Sequence, residues 1–202
     1  MKKIPLLAAV SGLNGILACF GSLPAMAAPS ICETVYDNLV QNCGFETGDF
    51  TGWTLSGNTG FTSVSDAAPH SGNFYASLGA VGSLNLLSQT LTTIPSVPYT
   101  IDLYMASDGG TPNEFDVEWN GTSLFDLTNI PSMNYQDLTF FVIGTGNDVL
   151  TISSRNDPSF LSLDDVSVAT PEPTTWALLG SGLLGLAMIR WRKLSQSASH
   201  LA

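Results

Sequence analysis

The chain has 202 residues, with six Lys or Arg against seventeen Asp or Glu and a formal net charge of −11. Only 11% of residues are charged, where an ordinary globular domain carries about 25%, yet the apolar content of 44% excludes a disordered polyelectrolyte. The acidic balance excludes a nucleic-acid partner, because phosphate binding needs a Lys/Arg surface, and the length allows one domain with appendages.

The cations sit at the two ends: Lys2 and Lys3 at the start, Arg190, Arg192 and Lys193 near the finish. Only Arg155 lies between them, while all seventeen acids fall between Glu33 and Glu172. Residues 1–27 read as a signal peptide. Lys2 and Lys3 form its basic start, Ile4 to Phe20 is mostly apolar, and Ala25-Met26-Ala27 supplies a small-x-small cleavage site. Cys19 leaves with that peptide, so Cys32 and Cys43 remain as an even pair in an exported chain, which predicts a disulfide. In the chain-entropy account, closing a loop of about a dozen residues stabilises by about 3 kcal/mol.

The middle, residues 28–170, holds no long 3.6-residue period and predicts a single all-β domain. Tyr99, Ile101, Leu103 and Met105 alternate with Thr100, Asp102 and Tyr104. Phe115, Val117 and Trp119 alternate with Asp116 and Glu118, and Asn120-Gly121 then signals a type I′ hairpin returning through Leu124 and Leu127. Leu138, Phe140 and Val142 alternate next. Residues 144–147 turn into a strand over 149–153, and 162–168 make the last one. About eight strands in this length predict an antiparallel β-sandwich or jelly roll.

Residues 174–189 form the second apolar block. As a helix, at about 1.5 Å per residue, it spans roughly 24 Å of a typical ~30 Å hydrocarbon core. Trp176 and Trp191 fit its two interfaces, and the basic cluster after it places residues 194–202 in the cytoplasm as a tail. Pro171-Glu172-Pro173, a short Gly/Leu-rich single transmembrane helix, then Arg190, Arg192 and Lys193 resemble the PEP-CTERM sorting signal over residues 171–193. That resemblance implies recognition by an exosortase-type processing protease. It also implies cleavage near Glu172–Pro173 and a Gram-negative-type bacterial host that makes exopolysaccharide.

The stretch Asn38-Leu39-Val40-Gln41-Asn42-Cys43-Gly44-Phe45-Glu46-Thr47-Gly48, followed by Gly52-Trp53, resembles the opening of carbohydrate-binding-module-like, galactose-binding-like jelly rolls. His70-Ser71-Gly72 and Leu163-Asp164-Asp165-Val166-Ser167-Val168 match two further elements of that family. Arg155-Asn156-Asp157-Pro158-Ser159-Phe160, just before the last strand, is a stretch that such proteins with a PEP-CTERM signal often carry. The resemblance implies a structural Ca²⁺ held by Glu46, Asp164 and, through the turn, Ser71. Calcium takes six to eight oxygen ligands, so turn carbonyls would complete the shell. A glycan needs aromatic platforms beside fixed polar groups. Trp119 is in phase with Phe115 and Val117, and the resemblance places Trp53, in its Gly-Trp element, in the core as well; that leaves Asp102, Tyr104 and Phe141, with the lone Arg155, as the glycan-binding candidates.

Enzyme chemistry is not expected. Once the signal peptide and the C-terminal segment are removed, His70 is the sole histidine. The sequence has no GxSxG elbow, no HExxH and no phosphate loop. The expectation is a non-catalytic surface or exopolysaccharide-matrix protein that binds glycan weakly. The alternative is a structural biofilm protein without a sugar pocket, its acidic surface serving solubility and Ca²⁺ cross-linking.

Overall fold

The computed structural model describes residues 29–157 and 159–171, together with 181, 182 and 184. The expected signal peptide, Glu172, Pro173 and the basic cluster lie outside the described residues. Of the sorting segment only Pro171, Ser181, Gly182 and Leu184 are described, the last three helical. No helix among the described residues is long and apolar enough to cross a membrane.

Ten strands follow one another: β1 (Thr54–Gly57), β2 (Thr62–Ser65), β3 (Tyr75–Leu78), β4 (Asn85–Thr92), β5 (Pro98–Ser107), β6 (Asn113–Trp119), β7 (Thr122–Thr128), β8 (Met133–Ile143), β9 (Asn147–Asn156) and β10 (Leu161–Ala169). They pair antiparallel into two five-stranded sheets, β1-β4-β9-β6-β7 and β2-β3-β10-β5-β8, packed face to face. The sequence located β5 to β10 but none of the first four. Of those, β1, β2 and β3 have four residues each, too few for an alternation to stand out.

The longer strands form because apolar side chains recur every second residue, which puts them on one face of a pleated ribbon. Tyr99, Ile101, Leu103 and Met105 of β5 and Leu161, Leu163, Val166 and Val168 of β10 are buried. They face Leu87 and Leu91 of β4, Leu150 and Ile152 of β9, and Phe115, Val117 and Trp119 of β6 in one core. Trp53 and Trp119 are buried as expected. The β6–β7 turn has Asn120 at φ 53° and Gly121 at φ 73°, the pair of left-handed residues that a type I′ hairpin requires.

Before β1 the chain runs alongside β10. Leu39 N–H donates to the Val168 carbonyl, and Val166 N–H donates to the Cys43 carbonyl, each at 2.9 Å. The Cys32–Cys43 disulfide, with Cα atoms 6.0 Å apart, fixes a 3₁₀ turn (Ile31–Thr34) over the outer face of the second sheet. Beneath it β10 carries a bulge. Its register against β5 shifts between Asp164 and Ser167, with Asp165 at φ 50°. Around the bulge Asp164, Asp165 and Val166 are all buried, as is every residue of β10 except Ser162.

Candidate functional site

At the end of the sandwich where β9 leads into β10, a groove of about 260 Å³ is lined by Phe61, Gly79, Val81, Asn156, Asp157, Ser159 and Phe160. Its walls are tied by polar contacts. Asn156 N–H donates to the Ala80 carbonyl at 2.9 Å, and Gly82 N–H donates to Asp157 Oδ1 at 2.7 Å. Asp108, at the end of β5, accepts from Phe160 N–H at 3.1 Å, from Asn156 Nδ2 at 3.3 Å and from the Ser159 hydroxyl. Gly79 is required here, because a Cβ at that position would collide with the Phe160 ring and lie 2.8 Å from the Phe61 carbonyl. The loops therefore hold Phe61, 72% exposed, and Phe160, 44% exposed, beside the groove. Asn156 is fully buried, and its Oδ1 has no hydrogen-bond partner among the described residues. Two exposed aromatic rings beside a groove are what the face of a sugar ring stacks on.

A second groove, of about 350 Å³, lies on the outer face of the second sheet. Its floor is Asp102 and Tyr104 of β5, Asp137 of β8, and Asp165 and Ser167 of β10; the 3₁₀ turn and Val35 form its rim. Burial first, and then repulsion from Asp137, raise the Asp102 pKa, against a hydrogen bond from Thr139. The Tyr104 ring lies parallel to the His70 imidazole at 3.8 Å, so one of its faces is already covered.

Behind this groove sits the loop from His70 to Phe74, gripped by two carboxylates. Asp164 Oδ2 accepts from the backbone N–H of His70 at 2.8 Å and of Ser71 at 3.3 Å. Glu46 accepts from Asn73 N–H at 2.9 Å, Phe74 N–H at 3.1 Å and Asn73 Nδ2 at 3.0 Å. A Cβ on Gly72, which has φ +64°, would run into the Glu46 carboxylate. The Ser71 hydroxyl donates to Asp165 and accepts from Ile31 N–H at 2.8 Å. His70 Nδ1 lies 2.7 Å from Asp165 Oδ2.

Asp164 and Asp165 are thus adjacent buried carboxylates. Arg155, the sole Lys or Arg among the described residues, sits on the other sheet, 3.8 Å from Asp157. Burial first, and the neighbouring Asp165 second, push the Asp164 pKa up to about 7, against backbone N–H groups from Asp165, His70 and Ser71. The folded protein therefore keeps a proton that the unfolded chain releases near pH 4. Metal-free protein gains stability from Asp164 as pH falls from about 7 toward 4. Melting in EDTA across that range checks this: Asp164→Asn loses the dependence.

The structure thus gathers Glu46, Asp164 and Ser71 around one loop, and Asp102 and Tyr104 in one groove. No group of three or more His, Cys, Asp or Glu side chains among the described residues is arranged to hold a metal ion. Phe141 shares the outer face of Asp102 and Tyr104, but it pairs with Thr100 at the far end of β8, outside the groove. Arg155 pairs with Glu114 in the first sheet, away from the other three glycan candidates. Asn156 and Phe160 stand in the stretch before the last strand, but the sequence does not mark them as binding residues, and it does not single out Phe61. Their signal was an aromatic just after Asn58-Thr59-Gly60 and another just before β10, both outside any alternating run.

The C-terminal segment matches a family model described as the PEP-CTERM protein-sorting motif, over residues 169–193. The chain carries a PEP-CTERM sorting signal. That motif implies an exported protein sorted by an exosortase to the cell surface. No curated protein matches the chain in sequence. In structure it is similar to a family 61 carbohydrate-binding module solved with β-1,4-galactotriose. Identity is 19%, the TM-score 0.58, and coverage 67% of this chain and all of the module. It is similar to a family 22 xylan-binding domain at 13% identity and TM-score 0.51, covering 67% of this chain and 97% of that one. The K1 cleaved adhesin domain of Lys-gingipain from Porphyromonas gingivalis W83 is also similar, at 12% identity and TM-score 0.51, covering 64% and 96%. At these identities the likeness concerns the fold: this PEP-CTERM chain has a sandwich like that of carbohydrate-binding modules.

Proposed function

We propose that the chain is a non-catalytic glycan-binding protein of the cell surface or exopolysaccharide matrix, and that the Phe61–Phe160 groove is its binding site. The observation that carries this reading is the pair of exposed aromatic rings, Phe61 and Phe160, that the loops hold on one groove. The face of a sugar ring stacks on such rings, which gains apolar contact without a deep pocket. The sugar-binding modules of like fold support it further. Asp102 and Tyr104 form a secondary polar groove, and Phe141 and Arg155 take no part in the proposed site.

A glycan array with secreted protein tests the assignment. Phe160→Ala and Phe61→Ala are each expected to weaken binding about tenfold, because losing one aromatic platform costs about 1.5 kcal/mol. Tyr104→Ala should leave it unchanged. If wild type binds no polysaccharide, including that of its own host, the structural matrix reading stands instead.

The same reading includes a structural calcium ion. Glu46, Asp164 and the Ser71 turn offer hard oxygen donors, and a divalent cation would relieve the two adjacent buried carboxylates. Such an ion stabilises by mass action. Calcium should raise the melting midpoint of wild type relative to EDTA, and Glu46→Ala should abolish the difference. Equal midpoints in wild type with and without calcium would falsify the ion.

A further inference from the structure

The four open sheet edges are unequal. β1 and β2 are four residues long, and β7 has seven residues and carries Asp126. β8 has eleven residues, pairs among the described residues with β5 alone, and carries one charge, Asp137, in its first half. Along an edge strand every second residue turns its N–H and C=O away from the sheet, which templates another strand. Natural edges of this length are usually blunted by charge, proline or a bulge, and from Leu138 to Ile143 this one has none of these.

The far end of β8 is also apolar on its outer face. Phe141 is 78% exposed and Ile143 56%. Beside them Ile94, 62% exposed, sits in the loop whose backbone bonds to Gly144 (Ser96 N–H to the Gly144 carbonyl, 2.9 Å). Residues 138–147 and 71–101 contain no Asp, Glu, Lys or Arg. In a chain this acidic, the patch is a place where two like-charged molecules can meet without repulsion.

We infer that the occupant of this edge is a second copy of the chain, its β8 added antiparallel across a twofold axis at Phe141. A strand edge pairing with itself is self-complementary, as a twofold interface must be. In this register Phe141 faces Phe141 of the second copy, Thr139 faces Ile143, and Phe140 faces Val142. Each Asp137 falls opposite Thr145, and the two Asp137 residues lie about 27 Å apart, beyond three Debye lengths at physiological salt. Opposed aromatic and β-branched pairs are the contacts that stabilise such ladders. The three exposed side chains offer roughly 400 Å² of apolar surface per copy, about half of the ~800 Å² per partner in a standard interface. The ladder supplies the rest, and the two second sheets join into one of ten strands.

The test uses the full chain in detergent, which shields its apolar C-terminal block, in a Cys19→Ser background. Sedimentation should give twice the monomer mass at high-micromolar concentration. Phe141→Lys should weaken association at least about tenfold. Phe141→Cys should form an intermolecular disulfide under mild oxidation, whereas the comparably exposed Phe61→Cys should not. Because Phe141 is exposed, both of its variants fold. A wild type that stays monomeric, including one that instead binds lipid vesicles through Phe141, overturns the inference. So does a Phe141→Lys protein that associates as tightly as wild type.

Discussion

Phe45→Ala should cost about 4 kcal/mol in urea unfolding, a large share of the 5–15 kcal/mol that holds a typical domain. Phe45 is fully buried, 5.8 Å from the Trp53 ring in a stacked arrangement and 6.0 Å from Phe50 edge-on. It sits two residues past the disulfide and one before Glu46, so its ring anchors the segment that grips the His70–Phe74 loop. Deletion leaves a cavity that Trp53 and the cystine cannot fill. The left-handed backbone, with φ +58°, is borne by wild type and variant alike, so the cost is that of the lost ring. Phe141→Ala, which removes an equally large ring from an exposed position, is the control and should change stability by under about 0.5 kcal/mol. Equal losses in the two variants would contradict the assignment of Phe45 to the core.

Asp148→Ala should cost about 3 kcal/mol, because it strands several buried donors at once. The carboxylate is fully buried and accepts from Thr145 N–H at 2.9 Å, Thr145 Oγ1 at 2.6 Å, Asn120 Nδ2 at 2.5 Å and Thr93 Oγ1. It thereby ties the 93–97 loop, the β6–β7 hairpin and the β8–β9 turn together. Burial alone would raise its pKa, but the hydrogen bonds from Thr145, Thr93 and Asn120 outweigh burial and hold it well below the ordinary carboxylate range. A depressed pKa means that this stabilisation is complete above about pH 4 and is lost as acid protonates the folded state. Chemical denaturation between pH 5 and 2, with limits set by those values, should show a steeper loss in wild type than in Asp148→Asn. Parallel curves would assign the acid sensitivity to other groups.

How much of this could be read from the chain depends on the range of the interaction. The alternation in β5, β6 and β8 is a local signal, and both the sandwich and the outward direction of Asp102 and Tyr104 follow from it. The cystine followed from counting cysteines in an exported chain, and the Arg155–Asp157 contact joins residues two apart. The bulge at Asp165 is invisible locally, because consecutive acids do not announce which of them turns inward. The pairing of His70 with Asp165, and the meeting of Phe61 with Phe160, join residues nearly a hundred positions apart. Such meetings are set by strand order, which pairs β10 with β3 and not with β9, its neighbour in sequence.

That position of β10 has a mechanical consequence. The strand begins beside Phe160 in the proposed sugar groove and ends two residues before the Pro-Glu-Pro sequence. It is locked on one side by seven register pairs with β5 and on the other by three with β3. Under the proposed function, a pull between a bound polysaccharide and whatever holds the C-terminal end of the domain would run lengthwise down one central strand and load its hydrogen bonds together in shear. The cystine-bound flap beside β10 would be a further brace along that line.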